Sequence, residues 1–321
     1  MGGPSEEHEI SLKTGQAVLD NLDPTKYKAI KVVITKNKMW RFGNNPTSLK
    51  LEVALSRLKQ LKVAAVFIGL HGTFGEDGVI QHIFETQHIA FTGSSSESSS
   101  LAMDKDRSNK VYTDVGLRIP ATTVIDSKHR HSINLPEGNH ALPVFVKPVG
   151  QGSSVGVYLI KTAAQIPMAI TNAFRFDTRV MIQACIKGRE FSCSVLEDAL
   201  SGRPYALPPT ELIPLRSEFF DYDAKYTDGG ADEITPPDLP QPLIDEIKQV
   251  AIKAHKALGC RGYSRTDMIL DNSSKLYMIE TNTLPGLTPA SILPKQAEAA
   301  GISFGQLLDG LIDIALAHSL V

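Results

Sequence analysis

Short apolar runs alternate with amphipathic segments along the first hundred residues, a pattern typical of a sheet covered by helices. Val63 to Leu70 is apolar and rich in β-branched residues, so it predicts a strand buried on both faces of a parallel sheet. Lys28 to Thr35 predicts another strand, and Val79 to Gln87 predicts a helix. The serine-rich stretch from Gly93 to Ser100 predicts a loop. We therefore expect an α/β lobe over residues 1–101.

The centre of the chain predicts a small lobe of its own, over residues 102–180. A helix is expected around Lys105 to Val115, followed by two strands, Pro143 to Lys147 and Val155 to Ile160. These strands flank a segment rich in glycine and serine, which predicts a flexible hairpin loop.

The remaining residues, 181–321, predict a third lobe of strands and amphipathic helices. A long polar loop is expected from Arg216 to Pro240, followed by an amphipathic helix from Leu243 to Leu258. A last helix is expected from Phe304 to Ser319. Its apolar residues lie mostly on one side: Leu307, Leu308, Leu311, Ile312, Ile314 and Ala315.

Composition narrows the function classes. The chain has 321 residues, which suits two or three lobes, and its 33 Lys and Arg balance 35 Asp and Glu, so nucleic acid is not expected as a partner. Its apolar runs are too short to span a membrane and no signal region is visible, so we expect neither membrane association nor export but a cytoplasmic protein. The three cysteines lack C-x-x-C spacing and are expected to be reduced packing residues.

Two strand-like runs, Tyr263 to Leu270 and Leu276 to Asn282, are separated by the turn-forming residues Asp271 to Ser274. They predict an antiparallel hairpin in which alternate side chains share a face. If the connecting loop has an even number of residues, the polar side chains of both strands fall on the same face. An odd loop without a bulge would separate them.

The side chains in question are Arg265, Asp267, Glu280 and Asn282. The last three offer hard oxygen donors, which Mg²⁺ prefers when nucleotide phosphates supply the rest of its ligands. The planar guanidinium of Arg265 suits a carboxylate or a developing negative charge. A solvated face with ordinary ion pairs is the alternative, but the sharp Thr283 to Gly286 turn that follows favours a binding site.

Two glycine-rich segments add to this interpretation. Lys147 to Gly156 lies between strands and lacks the ending of a P-loop, so it predicts a hairpin loop that folds over phosphates, with Lys147 adding charge. An ordinary flexible hairpin is the alternative. His71 to Gly78 lacks the dinucleotide fingerprint. His71 is either a satisfied buried histidine or, at the carboxyl end of a strand, a ligand-binding residue.

Together these segments resemble the D-alanine–D-alanine ligase family of the ATP-grasp superfamily over essentially the whole chain. Any single motif is weak, but eight occur in the family's order. They are Gly2 to Ser11, His71 to Gly78, Met103 to Lys105, Lys147 to Gly156, Lys187 to Glu190, Tyr222 to Tyr226, Ser264 to Asp267 and Glu280 to Gly286.

The resemblance implies an α/β fold of ATP-grasp architecture, with a Rossmann-like N-terminal lobe and two lobes that clamp ATP. It implies that two Mg²⁺ ions, or Mn²⁺, are held by Asp267, Glu280 and Asn282. The implied ATP contacts are Lys105 and Lys147 on the phosphates, Gln183 near adenine, Glu190 on ribose, and in addition Ser153, Ile186 and Lys225.

The same resemblance implies that Glu7 holds the ammonium of a first D-alanine, with His71 near its carboxylate. Arg265 and the Gly286 N–H would stabilise the tetrahedral oxyanion. Ser291 would help to hold the carboxylate of the second D-alanine. Glu7, Ser153 and Tyr226 would tie the lobes into a closed lid. The implied reaction forms an acyl phosphate from D-alanine and ATP, from which a second D-alanine displaces phosphate, for peptidoglycan synthesis.

The sequence departs from the family in two places. Family members normally begin with a strand before the first Gly-Gly, so we expect Met1 to be an internal methionine of a longer chain. Gln183 replaces a carboxylate that faces adenine, although an amide carbonyl accepts the same hydrogen bond.

Several alternatives stay open. The chain could be a D-alanine–D-lactate ligase, although Tyr226 favours an amine substrate. It could be another ATP-grasp ligase, although Glu7 and Ser291 argue against this, or an inactive nucleotide-binding protein. A homodimer is expected from the family alone.

Overall fold

The computed structural model describes residues 1–129, 142–152, 155–215 and 231–318. Within these residues the chain is a mixed α/β structure with three sheets. The helices are α1 (His8–Asn21), α2 (Leu51–Gln60), α3 (Val79–Thr86), α4 (Ser96–Met103), α5 (Lys105–Asp114), α6 (Ile166–Ala173), α7 (Gln241–Ala257), α8 (Ile292–Ala299) and α9 (Phe304–Ala317). The strands are β1 (Val32–Ile34), β2 (Trp40–Phe42), β3 (Thr122–Asp126), β4 (Val144–Pro148), β5 (Tyr158–Ile160), β6 (Arg179–Ala184), β7 (Gly188–Glu197), β8 (Pro204–Ala206), β9 (Thr210–Pro214), β10 (Ala231–Ile234), β11 (Tyr263–Asp271) and β12 (Leu276–Asn282).

The N-terminal residues form only a small regular sheet. Strands β1 and β2 pair antiparallel, and Gly2 makes isolated parallel bridges to Ile34 and to Leu70. The prediction of a regular strand over Val63 to Leu70 was wrong, because this segment makes single bridges at Val66 and Leu70 and no continuous ladder. Among the described residues, the segment is paired with another backbone segment only at these two residues.

The serine-rich stretch from Gly93 to Ser100 is partly helical, so the prediction of a loop was wrong there. Helix α4 begins after Ser95, whose hydroxyl accepts a hydrogen bond from the Ser98 N–H at 3.2 Å. Serine is a good N-cap residue, and the buried side chains of Ser98 and Ser99 are small enough to pack closely.

The central sheet has the strand order β3-β6-β4-β5, with antiparallel pairing throughout. Its strands β4 and β5 confirm the two strands predicted on either side of the glycine-rich segment. Helix α6 packs its apolar face on this sheet through Ile166, Ala169 and Ile170. The result is a small separate core beneath the glycine-rich segment.

The largest sheet has the order β10-β9-β7-β11-β12, with β8 pairing on β7. Helix α7 covers it through Ile247, Ala251 and Ala254, as its amphipathic pattern predicts. Strand β10 lies within the stretch predicted as the loop from Arg216 to Pro240, so that prediction was wrong for β10. The part from 216 to 230 lies outside the described residues.

Helix α9 buries the six apolar residues that its sequence pattern places on one side, which confirms that prediction. Three of them, Leu307, Leu308 and Leu311, join the core of the N-terminal residues. No single helix among the described residues has both the length and the apolar character to cross a membrane; only α8 and α9 together, bent by 105°, pass on length and composition. Cys185, Cys193 and Cys260 are all free thiols, and the last two are buried.

Helix α8 is joined to the large sheet by one buried amide, that of Gln296. Its carbonyl accepts from the Ser194 N–H at 3.0 Å, and its NH₂ donates to Ser192 O at 2.7 Å and to Thr210 Oγ1 at 3.0 Å. Since the side chain is fully buried, water cannot replace these bonds.

We predict that Gln296→Ala lowers the free energy of unfolding by about 2–4 kcal/mol, because it leaves buried polar groups unpaired. Urea denaturation of the purified protein measures this. Gln249→Ala, at an exposed position of α7, is the matched control and should change stability by less than about 0.5 kcal/mol. Equal effects of the two substitutions would contradict the assigned role of Gln296.

Candidate functional site

The hairpin of β11 and β12 places the four predicted polar side chains on one face. Arg265 pairs with Asn282 and Asp267 with Glu280 across the strands. The loop between the paired residues Leu270 and Leu276 has five residues, which alone would separate the side chains. A β-bulge between Asp267 and Met268 restores the shared face, because one extra residue reverses the alternation.

Asp267 is held by two partners. Arg265 donates to it from Nε at 3.0 Å and from a terminal nitrogen at 2.9 Å, and Ser192 Oγ donates at 2.5 Å. The Asp267 side chain is only 8% exposed, so this forked ion pair is largely shielded from water. These contacts therefore fix the position of the Asp267 carboxylate on the hairpin face.

Glu280 faces a lysine from the adjoining helix. Lys105 Nζ lies 3.3 Å from Glu280 Oε2 and donates to the Gln151 carbonyl at 2.7 Å. Lys105 thus connects the hairpin to the glycine-rich segment of the central sheet. Asn282 Oδ1 accepts from the Leu284 N–H at 2.7 Å, which fixes the turn after β12.

The position of Lys105 depends on the start of helix α5. The Asp104 carboxylate accepts from the N–H groups of Asp106 and Arg107, both at 3.1 Å, and pairs with Arg179 at 2.6 Å. Burial alone would raise the pKa of Asp104, but Arg179 and the two N–H groups outweigh it and lower the pKa below 3.8. Lys105 therefore stands in the first turn of α5, where the helix dipole favours anions.

The residues predicted to contact adenine and ribose lie on β6, on β7 and in the link between these strands. Lys147 Nζ donates to Gln183 Oε1 at 2.8 Å, and both side chains are buried. Because lysine has no acceptor, it must face the carbonyl oxygen of the amide. Ile186 is half-buried in the link from β6 to β7, and Glu190 lies in β7 opposite Ile269 of β11.

A second group of predicted residues meets around Gly72. Gly72 has φ +71°, and a Cβ added to it would lie 2.7 Å from Glu7 Oε2 and 3.0 Å from Ser5 Cβ. Only glycine allows the Glu7 carboxylate to approach the backbone this closely. Glu7, which is 8% exposed, directly precedes α1.

His71, next to Gly72, is fixed by four neighbours. Its ring contacts Thr14 Oγ1 at 2.8 Å through Nε2 and Glu76 Oε1 at 3.3 Å through Nδ1. The backbone N–H of His71 donates to Ser11 Oγ at 2.9 Å, and its backbone carbonyl accepts from Ser5 Oγ at 2.7 Å. The histidine is buried and oriented, and it directly precedes Gly72, whose backbone the Glu7 carboxylate approaches.

Gly286 and Ser291 also come together. A Cβ on Gly286 would lie 2.7 Å from Ser291 Oγ, and this hydroxyl contacts Thr288 Oγ1 at 2.8 Å. The turn after β12 thus closes onto the residue that precedes α8. Two residues that the sequence resemblance assigned to the same reaction lie in contact.

Three predicted site residues, Ser153, Lys225 and Tyr226, lie outside the described residues. Sequence reasoning missed Ser192, which strand pairing brings beside Asp267 and which no local pattern marks. Gln151 lies within the predicted glycine-rich segment, but the contact of its carbonyl with Lys105 was not predicted.

The described residues contain no group of three or more His, Cys, Asp or Glu arranged to hold a metal ion. The predicted metal ligands comprise two carboxylates and one amide, so they fall outside such a group. Their oxygen donors on one face still match the ligand chemistry of Mg²⁺.

Lys105 lies between the glycine-rich segment of the central sheet and the acidic hairpin of the large sheet. Two sheets that face each other in this way are those of an ATP-grasp fold. Comparison with known proteins agrees. A family model described as "D-ala D-ala ligase C-terminus" matches residues 111–313, and one described as "D-ala D-ala ligase N-terminus" matches residues 1–60.

Similar proteins cover nearly the whole chain. A D-alanine–D-alanine ligase of Clostridium botulinum is 38% identical over 313 residues, 98% of this chain and 96% of that protein. A VanG D-Ala:D-Ser ligase structure from Enterococcus faecalis has a TM-score of 0.84 at 32% identity, covering 98% and 97% of the two chains. A D-alanine–D-alanine ligase structure from Bacillus anthracis, complexed with ATP, has a TM-score of 0.78 at 30% identity, covering 100% and 97%. The chain belongs to the D-alanine–D-alanine ligase family.

We predict that Asp104→Ala lowers the free energy of unfolding at pH 7 by about 1–3 kcal/mol, because it removes a helix cap and the partner of Arg179. Since the pKa of Asp104 is lowered in the fold, its contribution is present above the unfolded value of 3.8 and is lost as pH falls below it. Urea denaturation at pH 7 and at pH 3.5 should therefore show a larger difference from the unsubstituted protein at pH 7.

Asp114→Ala, at an exposed position in the last turn of α5, is the control. It should be neutral or slightly stabilising, because an acid near a helix C-terminus is unfavourable. A difference for Asp104→Ala that stays constant with pH would contradict the ionised cap.

Proposed function

We propose that the protein ligates two D-alanine molecules through an acyl phosphate, with ATP as the co-substrate and ADP and phosphate as products. The observation that carries this proposal is the single hairpin face formed by Arg265, Asp267, Glu280 and Asn282, with Lys105 3.3 Å from Glu280. Such a face concentrates the cationic and oxygen-donor groups that phosphoryl transfer needs. The product would serve peptidoglycan synthesis in the cytoplasm, and a homodimer is the proposed assembly.

The nucleotide phosphates would lie against Lys105 and Lys147. Lys105 stands at the amino end of α5, so its charge and the helix dipole act together on an anion. Gln183 and Ile186 would meet the adenine, and Glu190 the ribose. Ser153 and Lys225 complete the proposed ATP contacts.

Two Mg²⁺ ions, or Mn²⁺, are the proposed metals. Asp267, Glu280 and Asn282 would hold them, since their oxygens are hard donors on one face. When bound, the metal neutralises charge on the phosphates during transfer. Asp267 also pairs with Arg265, so the same carboxylate orients the guanidinium beside the reacting groups.

The first D-alanine would bind near Gly72, where the Glu7 carboxylate approaches the backbone next to His71. The Glu7 carboxylate would pair with its ammonium, and His71, oriented by Thr14 and Glu76, would face its carboxylate. One carboxylate oxygen attacks the γ-phosphorus, the bond from that phosphorus to ADP breaks, and an acyl phosphate results. Binding orients the two reactants and lowers the entropic cost of this step.

The second D-alanine would bind through Ser291 and attack as a free amine, after its ammonium has released one proton to solvent. Its nitrogen forms a bond to the acyl carbon, and the tetrahedral oxyanion is stabilised by Arg265 and the Gly286 N–H. The carbon–oxygen bond to phosphate then breaks and the leaving phosphate takes the extra proton from the nitrogen, which gives the dipeptide and hydrogen phosphate. Glu7, Ser153 and Tyr226 would hold a lid that keeps water from the acyl phosphate.

A second candidate is a D-alanine ligase that uses D-serine at the second site. It is favoured by the similarity to the VanG D-Ala:D-Ser ligase structure, which has a TM-score of 0.84 at 32% identity. D-lactate, or another acceptor, would likewise change only the second step.

We predict phosphate release from ATP that depends on D-alanine and Mg²⁺ and yields D-alanyl-D-alanine by mass. D-serine and D-lactate, each offered with D-alanine, test the acceptor, and L-alanine is the negative control. A mixed product in preference to the dipeptide would favour the second candidate. Nucleotide binding without turnover with any acceptor would contradict both and favour an inactive nucleotide-binding protein.

We predict that Gly72→Ala raises KM for the first D-alanine about tenfold, corresponding to ~1.4 kcal/mol of lost binding, because the new Cβ displaces the Glu7 carboxylate. Gly43→Ala is the matched control: Gly43 also has positive φ, +58°, but nothing lies within 4 Å of its added Cβ. Both should cost about 1–2 kcal/mol of stability from backbone strain. Steady-state kinetics that show the same KM in both variants would contradict the placement of Glu7.

A further inference from the structure

Helix α5 buries a polar side. Its buried residues, Lys105, Ser108, Asn109 and Tyr112, follow the spacing i, i+3, i+4 and i+7 and so share one face. A helix of a globular protein normally turns an apolar stripe toward the core. Because hydrogen bonds are directional, the contacts of these polar side chains restrict the position of α5 more closely than apolar packing would.

The first half of α5 contacts the central sheet. The backbone N–H of Lys105 donates to Val149 O at 3.2 Å, and its Nζ donates to Gln151 O at 2.7 Å. Asn109 Nδ2 donates to the sulfur of Met181, on strand β6, at 3.9 Å. The start of the helix is therefore fixed to the glycine-rich segment and to the sheet beneath it.

The second half of α5 contacts the large sheet through a chain of three hydroxyls. Tyr112 OH donates to Thr281 Oγ1 at 2.9 Å, and Thr281 Oγ1 lies 3.1 Å from Thr266 Oγ1. All three side chains are buried. Burial raises the pKa of the Tyr112 hydroxyl, which therefore stays protonated and remains a donor.

The two threonines lie directly behind the face of the candidate site. Thr266 and Thr281 are opposite each other across the hairpin, between the two cross-strand pairs that form the site. Because successive side chains of a strand point to opposite faces, the threonine hydroxyls lie on the buried side of the hairpin. Thr281 stands between Glu280 and Asn282 in β12, so a displacement of Thr281 would move both of these predicted metal ligands.

The surroundings of the two threonines are apolar. The neighbouring pair of the hairpin is Met268 and Met278, which are buried in the core beneath α7. Hydroxyls without hydrogen bonds would be costly in such a place. A fully paired hydroxyl chain in an apolar core instead favours one arrangement of the elements that it joins.

Helix α5 thus contacts strand β12 on both of its faces. Lys105 Nζ lies 3.3 Å from Glu280 Oε2 on the side of the site, and Tyr112 bonds to Thr281 on the buried side. Lys105 and Tyr112 are two helical turns apart, which is about 10 Å along the helix axis. Two contacts at this separation restrict both the tilt and the rotation of α5 relative to β12.

We propose that Tyr112 is a positioning residue for the nucleotide and metal site. Its hydroxyl acts through Thr281 and holds α5 against β12, so that the cation of Lys105 and the oxygen donors of Glu280 and Asn282 stay side by side. The inference rests on the proposed function, since this is the site proposed for the phosphates of ATP and for Mg²⁺.

The test measures ATP binding by isothermal titration calorimetry at a series of Mg²⁺ concentrations, without D-alanine. It compares Tyr112→Phe and Thr281→Val with the unsubstituted protein. Both substitutions nearly preserve the size of the side chain and remove one hydroxyl. The Mg²⁺ concentration for half-maximal ATP binding should rise about fivefold in each, as expected for one lost hydrogen bond.

Thr210→Val is the matched control. Thr210 is a wholly buried strand residue of the same sheet, and its Oγ1 lies 2.6 Å from Thr235 Oγ1. The control should lower Tm about as much as Thr281→Val does, because it loses a similar hydrogen bond, but should leave the Mg²⁺ dependence unchanged. Thr281→Ser keeps the hydroxyl and should bind ATP as the unsubstituted protein does.

A Mg²⁺ dependence that is unchanged in Tyr112→Phe, or shifted equally in Thr210→Val, would overturn the proposal. So would a shift in Thr281→Ser as large as that in Thr281→Val, since lost packing would then be the cause. Tyr112→Phe combined with Thr281→Val should shift the dependence no further than either alone, because both interrupt one hydrogen-bond chain. A shift equal to the product of the two would show separate effects and contradict the chain.

These outcomes are distinct from those that decide the proposed reaction. An unsubstituted protein that binds ATP with Mg²⁺ but forms no dipeptide would contradict the ligase function, while the variants would still decide the role of Tyr112. An unsubstituted protein that binds no ATP at any Mg²⁺ concentration would contradict both.

Discussion

The register of one hairpin decides where the chemistry of this protein lies. Its five-residue connection would by itself place Arg265 and Asp267 on the face opposite to Glu280 and Asn282. The bulge after Asp267 reverses the alternation and brings all four to one side. Strand β7 on the other edge of β11 then adds Ser192, which holds Asp267, and helix α5 adds Lys105. A slip of one residue would disperse this set, since every side chain would change faces.

The charges on this face are arranged in two pairs, one within strand β11 and one between strand β12 and helix α5. Asp267 is paired with Arg265 of its own strand, whereas Glu280 is paired with Lys105, which also contacts Gln151 of the central sheet. Charges that are largely shielded from water are costly unless they are paired, so these contacts keep the groups ionised and in place. In the proposed reaction the phosphates of ATP would compete with Glu280 for the same lysine. Substrate binding would then change the contact of helix α5 with the hairpin through one side chain.

Local sequence patterns predicted several helices and strands correctly, because the alternation of apolar and polar side chains decides whether a short segment forms a helix or a strand. The apolar face of α9, the amphipathic α7 and the strands β4 and β5 follow from side-chain periodicity alone. The stretch from Gly93 to Ser100 shows the limit, since a serine-rich composition suggests a loop, yet Ser95 caps a helix that buries small side chains. The contact of Ser192 with Asp267 and the incomplete pairing of Val63 to Leu70 depend on segments that meet across the fold, and the bulge at Ile279 of β12 is set by the pairing of the whole hairpin. No local window contains that information.

In the proposed reaction the carboxylate of D-alanine becomes an acyl phosphate on the hairpin face. Incubating the protein with ATP, Mg²⁺ and D-alanine labelled with ¹⁸O in both carboxylate oxygens tests this directly. We predict that one labelled oxygen per turnover appears in the released phosphate, as measured by mass spectrometry. Unlabelled phosphate released together with the dipeptide would contradict an acyl phosphate, because the carboxylate oxygen would then never have been bonded to phosphorus.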